Sequence, residues 1–233
     1  MATLEGKKIV VIGGSSGIGY SVAKAALLNL AGHVIVASSS KARVDGAVVR
    51  LFSEPDLQGK LSQGSIRGDV VDLGNTDVVA EFFEKTGEID HLVITSGSPR
   101  RTIDFRTEDL GKHRDTFDIR FWGTATAAQK AKIRPGGSIT FTTGTAFFKP
   151  RASYTLMVSG AGTVDALTRS LAVELAPIRV NVVCPGAIET EQRWQLLPKD
   201  VADKMLAEYQ AKLPVKRIAK PAELAEAYLF LMK

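Results

Sequence analysis

The 233 residues suffice for one domain with a sizeable core, and 45% hydrophobic with 24% charged residues is the composition of an ordinary soluble globular protein. The net charge of +5 comes from basic residues spread through the chain and interleaved with acids, without the aromatic spacing of a single-strand platform; this argues against nucleic acid and for a phosphorylated cofactor. A single cysteine, Cys184, precludes an intrachain disulfide and has no metal-ligand cluster around it, so no metal is expected; no apolar run reaches the length of a membrane span and Met1 to Lys8 is no signal peptide, so the expectation is a cytoplasmic protein without membrane contact.

The chain opens on a strand, a turn and a helix. Four β-favouring residues, Ile9 to Ile12, precede glycines at 13, 17 and 19 and an amphipathic run from Ile18 to Leu30. A glycine cluster alone is only a flexible turn. Flanked in this way it has the geometry a dinucleotide needs: Gly13 takes the unusual dihedrals, Gly17 admits the pyrophosphate to the backbone, and Gly19 lets the helix pack on the strand. Ser15, Ser16 and Ile18 complete the turn, and the N–H groups of the first helical turn face the phosphates.

The stretch from Ile12 to Gly19 resembles the T-G-x-x-x-G-x-G signature of the short-chain dehydrogenases/reductases, with Ile12 where that family usually has Thr. The resemblance implies an α/β fold, a Rossmann-like doubly wound parallel sheet with helices on both faces, over the whole chain as one domain. It also implies a small-molecule substrate and a homo-oligomer, dimer or tetramer, joined through the two long helices after the fourth and fifth strands.

His33 to Ala37 reads as the second strand, ending in Ser38, Ser39, Ser40 and Lys41, with Arg43 close behind. A carboxylate here would bind the 2′-hydroxyl of NAD and repel a 2′-phosphate. None is present, and hydroxyls with two cations suit a phosphate, so NADP(H) is the expected cofactor; the alternative is a polar loop capping the helix that starts near Lys41. Arg43 to Leu51 is helical, and Ser65 to Val71 is the third strand. By resemblance Asp69 and the Val70 backbone border the adenine, with Asp72 as the near alternative; either acid could instead cap the helix from Thr76 to Lys85.

Ile89 to Thr95 is the fourth strand. The family's N-N-A-G is here Ile94-Thr95-Ser96-Gly97, which keeps Gly97 beside the cofactor ribose, next to Ser96, and loses the asparagines that brace the sheet. Arg100, Arg101 and Arg106 lie in the following loop, as a solvated basic surface rather than a substrate clamp. In the helix expected from Thr107 to Lys132, Arg120 takes the place of the family's relay Asn, and a guanidinium cannot both donate and accept as an amide does.

Gly136 to Gly144 reads as the fifth strand and the loop after it. Thr143 best matches the family's catalytic Ser, with Thr142 its neighbour. Tyr154 follows, but the Lys of Y-x-x-x-K is Val158. Without that cation Tyr154 is a poor proton relay at neutral pH, and an aromatic lining the cleft is the competing reading; Arg120 or Arg151 are the candidates to supply charge instead.

The helix continues from Ser159 to Leu175, with Asp165 and Arg169 spaced for a structural i,i+4 pair. Pro185, Gly186, Ile188 and Thr190 match P-G-x-I-x-T, which in the family holds the nicotinamide carboxamide. Residues 191 to 213, with Trp194, Leu196, Leu197, Met205 and Tyr209, stand where the family has its substrate lid, though a packed surface helix explains their apolarity as well. Ala222 to Met232 is a last amphipathic helix, and the family's seventh strand is not reached. The expected activity is NADPH-dependent reduction of a bulky apolar carbonyl or iminium metabolite in secondary metabolism. The alternatives are a cyclase or isomerase that uses NADP(H) structurally, and a silent NADP(H)-binding protein.

Overall fold

The computed structural model describes residues 3–61, 65–97, 102–191 and 199–233. Strands β1 (Lys8–Ile12), β2 (His33–Ser38), β3 (Ile66–Val70), β4 (Glu88–Ile94), β5 (Lys132–Thr142) and β6 (Arg179–Val183) form one parallel sheet in the order β3-β2-β1-β4-β5-β6. Uninterrupted apolar strands such as Ile9–Ile12 belong in such a sheet because both faces are covered. Ile9 and Val11 share one core with Val22 and Ala26 of α1 (Gly17–Leu28) and with Leu229 near the chain end. Val10 and Ile12 share the other with Phe82 and Phe83 of α3 (Thr76–Thr86), and with Ala127 and Val164. Each fully buried Val, Ile or Phe contributes roughly 1.5–3 kcal/mol, so the strand alternation fixes which residues face which helices. The result is the three-layer, Rossmann-like α/β fold that the sequence predicts.

Between β2 and β3 runs α2 (Lys41–Phe52), and β6 is reached through α6 (Thr155–Glu174). Since β1 has β2 on one side and β4 on the other, the chain's winding reverses there, which opens a crevice above Ile12 at the C-terminal ends of the strands.

The long helix expected from Thr107 to Lys132 is not one helix. A 3₁₀ turn (Leu110–His113), a single α-turn, α4 (Asp115–Phe117), and a π-helical stretch (Asp118–Gly123) precede α5 (Thr124–Lys130). The wide turn lets Gly123 press against the backbone of Leu73, where a Cβ would overlap the Leu73 carbonyl. The fifth strand likewise starts earlier than the glycine pair implies. Lys132 and Ile133 pair with Glu88 and Ile89, the register shifts, and Ser138 resumes opposite His91. Pro135 donates no ladder hydrogen bond and Gly136 has φ +81°, so the stretch that reads as a strand start is a bulge within the strand.

A polar layer lies under the last helix. His91 is 2% exposed, its Nδ1 is 2.9 Å from Ser138 Oγ, and burial pushes its pKa down to about 4. Thr142 Oγ1 lies 2.7 Å from the hydroxyl of Tyr228 on that helix. Residues Lys199–Lys212 form α7, on which Met205 is exposed and Tyr209 half-buried, and Pro221–Met232 form α8; Trp194, Leu196 and Leu197 lie outside the described residues. Among the described residues no helix is long and apolar enough to cross a membrane.

Candidate active site

The glycine turn is tight because side chains are excluded from it. Gly13 has φ +89°, and a Cβ there would stand 2.6 Å from both the Ser96 amide and Thr95 Oγ1. Gly19 abuts the Gly13 carbonyl, so the packing that the sequence assigns to helix against strand is made by the turn folding onto itself. Gly17 has φ +52°, and its Cβ position is 3.1 Å from Thr190 Cγ2, which brings the first and last of the predicted cofactor motifs together. Ser16 precedes α1 in extended conformation, Ser15 is buried and Ile18 half-buried. The amides of the first turn of α1 therefore sit where an anionic diphosphate can be met by backbone alone.

The five residues at the end of β2 divide. Ser38 is buried and its Oγ accepts the Ser40 amide at 3.5 Å. Ser40 caps α2 by accepting the Arg43 amide at 3.5 Å, and Lys41 pairs with Asp45 at 2.8 Å. Only Ser39 and Arg43 meet through their side chains, Arg43 Nη2 donating to Ser39 Oγ at 3.4 Å, and both are exposed. Among the described residues no carboxylate pairs with Arg43. The capping alternative therefore holds for Ser40, and a phosphate-suited pair remains beside it.

Asp69 is ion-paired to Arg67, while Val70 lies opposite Ser38 and is exposed. Asp72 does not cap the next helix; its carboxylate accepts the Gly74 amide at 2.9 Å, and Asn75 caps α3 by accepting from Asp77 and Val78. Thr95, which sequence reasoning passed over, takes up bracing work. Its hydroxyl donates to the Ile12 carbonyl at 3.3 Å and so ties the end of β4 to β1. Its signal in the sequence is a hydroxyl one residue past an apolar strand.

Arg120 lies across the C-terminal ends of β4 and β5. Its Nη1 donates to the Thr142 carbonyl at 3.4 Å, a Cβ on Gly97 would stand 2.7 Å from its Cζ, and its stem runs 3.3 Å from the Cβ position of Gly160 on α6. Gly97 and Gly160 thus leave the channel that a guanidinium fills. The Thr142 side chain turns to Tyr228, and Thr143, the next residue past β5, donates its amide to the Val183 carbonyl at 2.9 Å. Tyr154 is half-buried and begins α6, accepting at its carbonyl from the Val158 amide at 2.9 Å. Arg151 is exposed and lies 5.9 Å from the ring centroid of Tyr209 on α7, so it serves that surface while Arg120 serves the crevice. Arg100 and Arg101 lie outside the described residues; Arg106 is exposed, as expected of a solvated basic surface.

Beyond β6, the Pro185 carbonyl accepts the Thr145 amide at 2.9 Å, and a Cβ on Gly186 would stand 4.0 Å from Thr145 Oγ1. Ile188 is buried and bridges Ala219, and the Thr190 amide donates to Ile188. Glu191 then reaches Arg50 of α2 at 3.0 Å, and that guanidinium lies 4.2 Å over the Tyr20 ring. This junction links the end of the last motif to α2, and residues so far apart gave no sign of it in the sequence. These residues could hold a dinucleotide: the glycines would leave room for its backbone approach, the first-turn amides of α1 would be available to its phosphates, and Ser39 with Arg43 would offer donors to a further phosphate.

An SDR-like Rossmann domain model matches residues 2–233. The short-chain dehydrogenase/reductase ATR9 of Stachybotrys chlorohalonatus is 34% identical, with 100% of this chain and 93% of that protein covered. The enzyme of the same description, fsr5, from Gibberella fujikuroi is 31% identical, covering 100% and 91%. Among solved structures, the MalC reductase/Diels-Alderase of Malbranchea aurantiaca superposes with a TM-score of 0.89 at 27% identity, covering 98% of this chain and 91% of that one. A small-chain dehydrogenase in complex with NADPH gives 0.74 at 29%, covering 96% and 90%. With fold, glycine turn and full-length similarity in agreement, the chain belongs to the short-chain dehydrogenase/reductase family.

Proposed function

We infer that the protein is an NADP(H)-dependent reductase of a bulky apolar carbonyl or iminium metabolite in secondary metabolism. The observation that carries this reading is the position of Arg120, held between Gly97 and the Thr142 carbonyl where the family's relay Asn is lost and Val158 replaces its Lys. Gly13, Gly17, Thr190, Ser39 and Arg43 keep the cofactor half of the site intact. Bound NADPH supplies a hydride. Arg120 then supplies fixed positive charge, Thr143 a hydroxyl that polarises the acceptor, and Tyr154 a proton where one is needed. An iminium acceptor needs none, because hydride addition to C=N⁺ gives a neutral amine. A carbonyl acceptor gains more from Arg120, whose charge stabilises a developing alkoxide and opposes a cation. Ser38, Ser40, Lys41, Asp69, Val70, Ser96, Pro185 and Gly186 complete the cofactor's surroundings in this reading.

A second reading, cyclisation or isomerisation with NADP(H) held structurally, is favoured by the likeness to the MalC reductase/Diels-Alderase. Following NADPH absorbance with a panel of ketones and cyclic iminium ions separates the two. Oxidation of NADPH supports reduction; product without oxidation supports the second reading; cofactor binding with neither leaves a silent NADP(H) binder and refutes both. Tyr154→Phe is expected to slow ketone reduction at least tenfold and to leave iminium reduction within about twofold. We also infer a cytoplasmic homo-oligomer, supported by the exposed apolar Trp122 and Val173 on the segments after β4 and β5, with light scattering as its test.

A further inference from the structure

Several basic residues meet at the opposite end of the sheet from the crevice. A cavity of about 460 Å³ opens there, lined by Lys8, His33, Arg67 and Arg134 over a floor that includes Val34 and Ile35. Lys8 pairs with His33 across β1 and β2, and Ile35 with Arg67 across β2 and β3, so strand alternation points Lys8, His33, Ile35 and Arg67 to the same face. Lys8 is the first residue of β1 and Ile12 the last, so about 13 Å of strand separates this cavity from the glycine turn.

The charges there are unevenly matched. Lys7 and Arg134 share Asp90 at 3.2 Å each, Arg134 also reaches Glu88 at 3.4 Å, and Arg67 holds Asp69. Lys8 meets no carboxylate among the described residues. One of its three N–H donors goes to the Thr86 carbonyl at 2.5 Å, and the Asp90 carboxylate takes its backbone amide, not its ammonium. Burial, then the neighbouring Arg67 and then Arg134, hold the Lys8 pKa below its usual value, which places these cations within one another's field. Two guanidiniums and an ammonium around one cavity keep N–H donors to spare, in the planar-fork-plus-point-charge arrangement that suits phosphate oxygens.

We propose that this cavity at the N-terminal ends of β1–β3 is a second anion site, which takes a phosphate or diphosphate group against Lys8, Arg67 and Arg134. The volume of about 460 Å³ exceeds that of the anion, so the cavity has room for the phosphorylated end of a small molecule. A multiply charged oxyanion relieves the repulsion among the three cations without disturbing their existing pairs. The site is independent of the crevice, and its test separates the two.

The probe is sodium pyrophosphate, titrated by calorimetry into the full chain at fixed ionic strength, with sodium chloride and sulfate as controls. Expected, apart from any pyrophosphate taken by the glycine turn, is a pyrophosphate site with the same affinity in Arg43→Ser and at least tenfold weaker binding in Arg67→Gln and Arg134→Gln. Arg134 holds two carboxylates and its loss could unsettle the fold; Arg67 lies on the edge strand and is exposed, so its variant decides the matter if the other does not fold. Three results overturn the proposal: no binding, binding lost in Arg43→Ser but kept in Arg67→Gln, or an equal response to sulfate and chloride. Failure of NADPH to bind leaves these titrations unaffected.

Discussion

Ser39→Asp isolates the physical basis of cofactor choice. In the structure Ser39 Oγ accepts from Arg43 Nη2 at 3.4 Å, and among the described residues no carboxylate pairs with that guanidinium. An aspartate at 39 would engage Arg43 itself and take from a 2′-phosphate one charge-assisted hydrogen bond, worth about 1.5–3 kcal/mol. It would also set a carboxylate near the phosphate. At about 4 Å in water that costs about 1 kcal/mol per pair of unit charges, and the phosphate carries nearly two. Together these weaken NADPH by about 3–5 kcal/mol, roughly a hundred- to several-thousandfold, at about 1.4 kcal/mol per decade. NADH lacks the phosphate and gains a 2′-hydroxyl partner worth about 1 kcal/mol, so it binds several-fold tighter. Calorimetric dissociation constants for both nucleotides, wild type against variant, measure the change. If their ratio moves by less than about tenfold, Ser39 and Arg43 do not read the 2′-position.

Protonation of His91 should make stability depend on pH. Its folded pKa of about 4 lies below the unfolded 6.5, so the unfolded chain binds more protons between these values; stability is full above pH 6.5 and declines as pH falls toward 4, by about 3 kcal/mol in all, at about 1.36 kcal/mol per unit. Urea unfolding from pH 4 to 8 should show a clear loss of that slope in His91→Asn, and an unchanged slope refutes the assignment. Thr142→Val leaves the Tyr228 hydroxyl, on a residue with 0% exposure, without its 2.7 Å partner and should cost about 1–3 kcal/mol in urea unfolding, with Thr142→Val/Tyr228→Phe recovering most of it. Gly97→Ala intrudes on the Arg120 guanidinium, so it should raise the NADPH dissociation constant at least tenfold with the melting temperature little changed; Arg120→Ala should restore part of the affinity to Gly97→Ala, and its failure to do so breaks the link between the two residues.

The sheet was legible because its evidence is local. Ile9–Ile12, His33–Ala37 and Ile89–Thr95 announce buried strands, and the glycines at 13, 17 and 19 announce the turn. The break in the helix before β5 is not legible, because Asp118–Gly123 carries no marker of a π-stretch and the close approach of Gly123 to Leu73 that goes with it is a tertiary contact. Caps were only partly legible, since Ser40 and Asn75 both cap while Asp72 turns to Gly74. The loss of the family's Asn and Lys was plain from the sequence, but not what fills the gap, because the path of Arg120 depends on Gly97 and Gly160 lying on two other elements. The Thr142–Tyr228 pair and the gathering of Lys8, Arg67 and Arg134 depend on the finished fold for the same reason.

One small bridge has a wider consequence. Ile188 pairs in parallel with Ala219, and the Glu189 amide donates to the Ala219 carbonyl at 3.0 Å, so the chain departs from the sheet and comes back at neighbouring points. An excursion whose two ends are already pinned behaves as a cassette: doubling its length adds only about 0.6 kcal/mol of closure entropy, and none of the strands has to shift. Descendants of such a chain can lengthen or exchange that cassette while the frame that carries it stays unaltered.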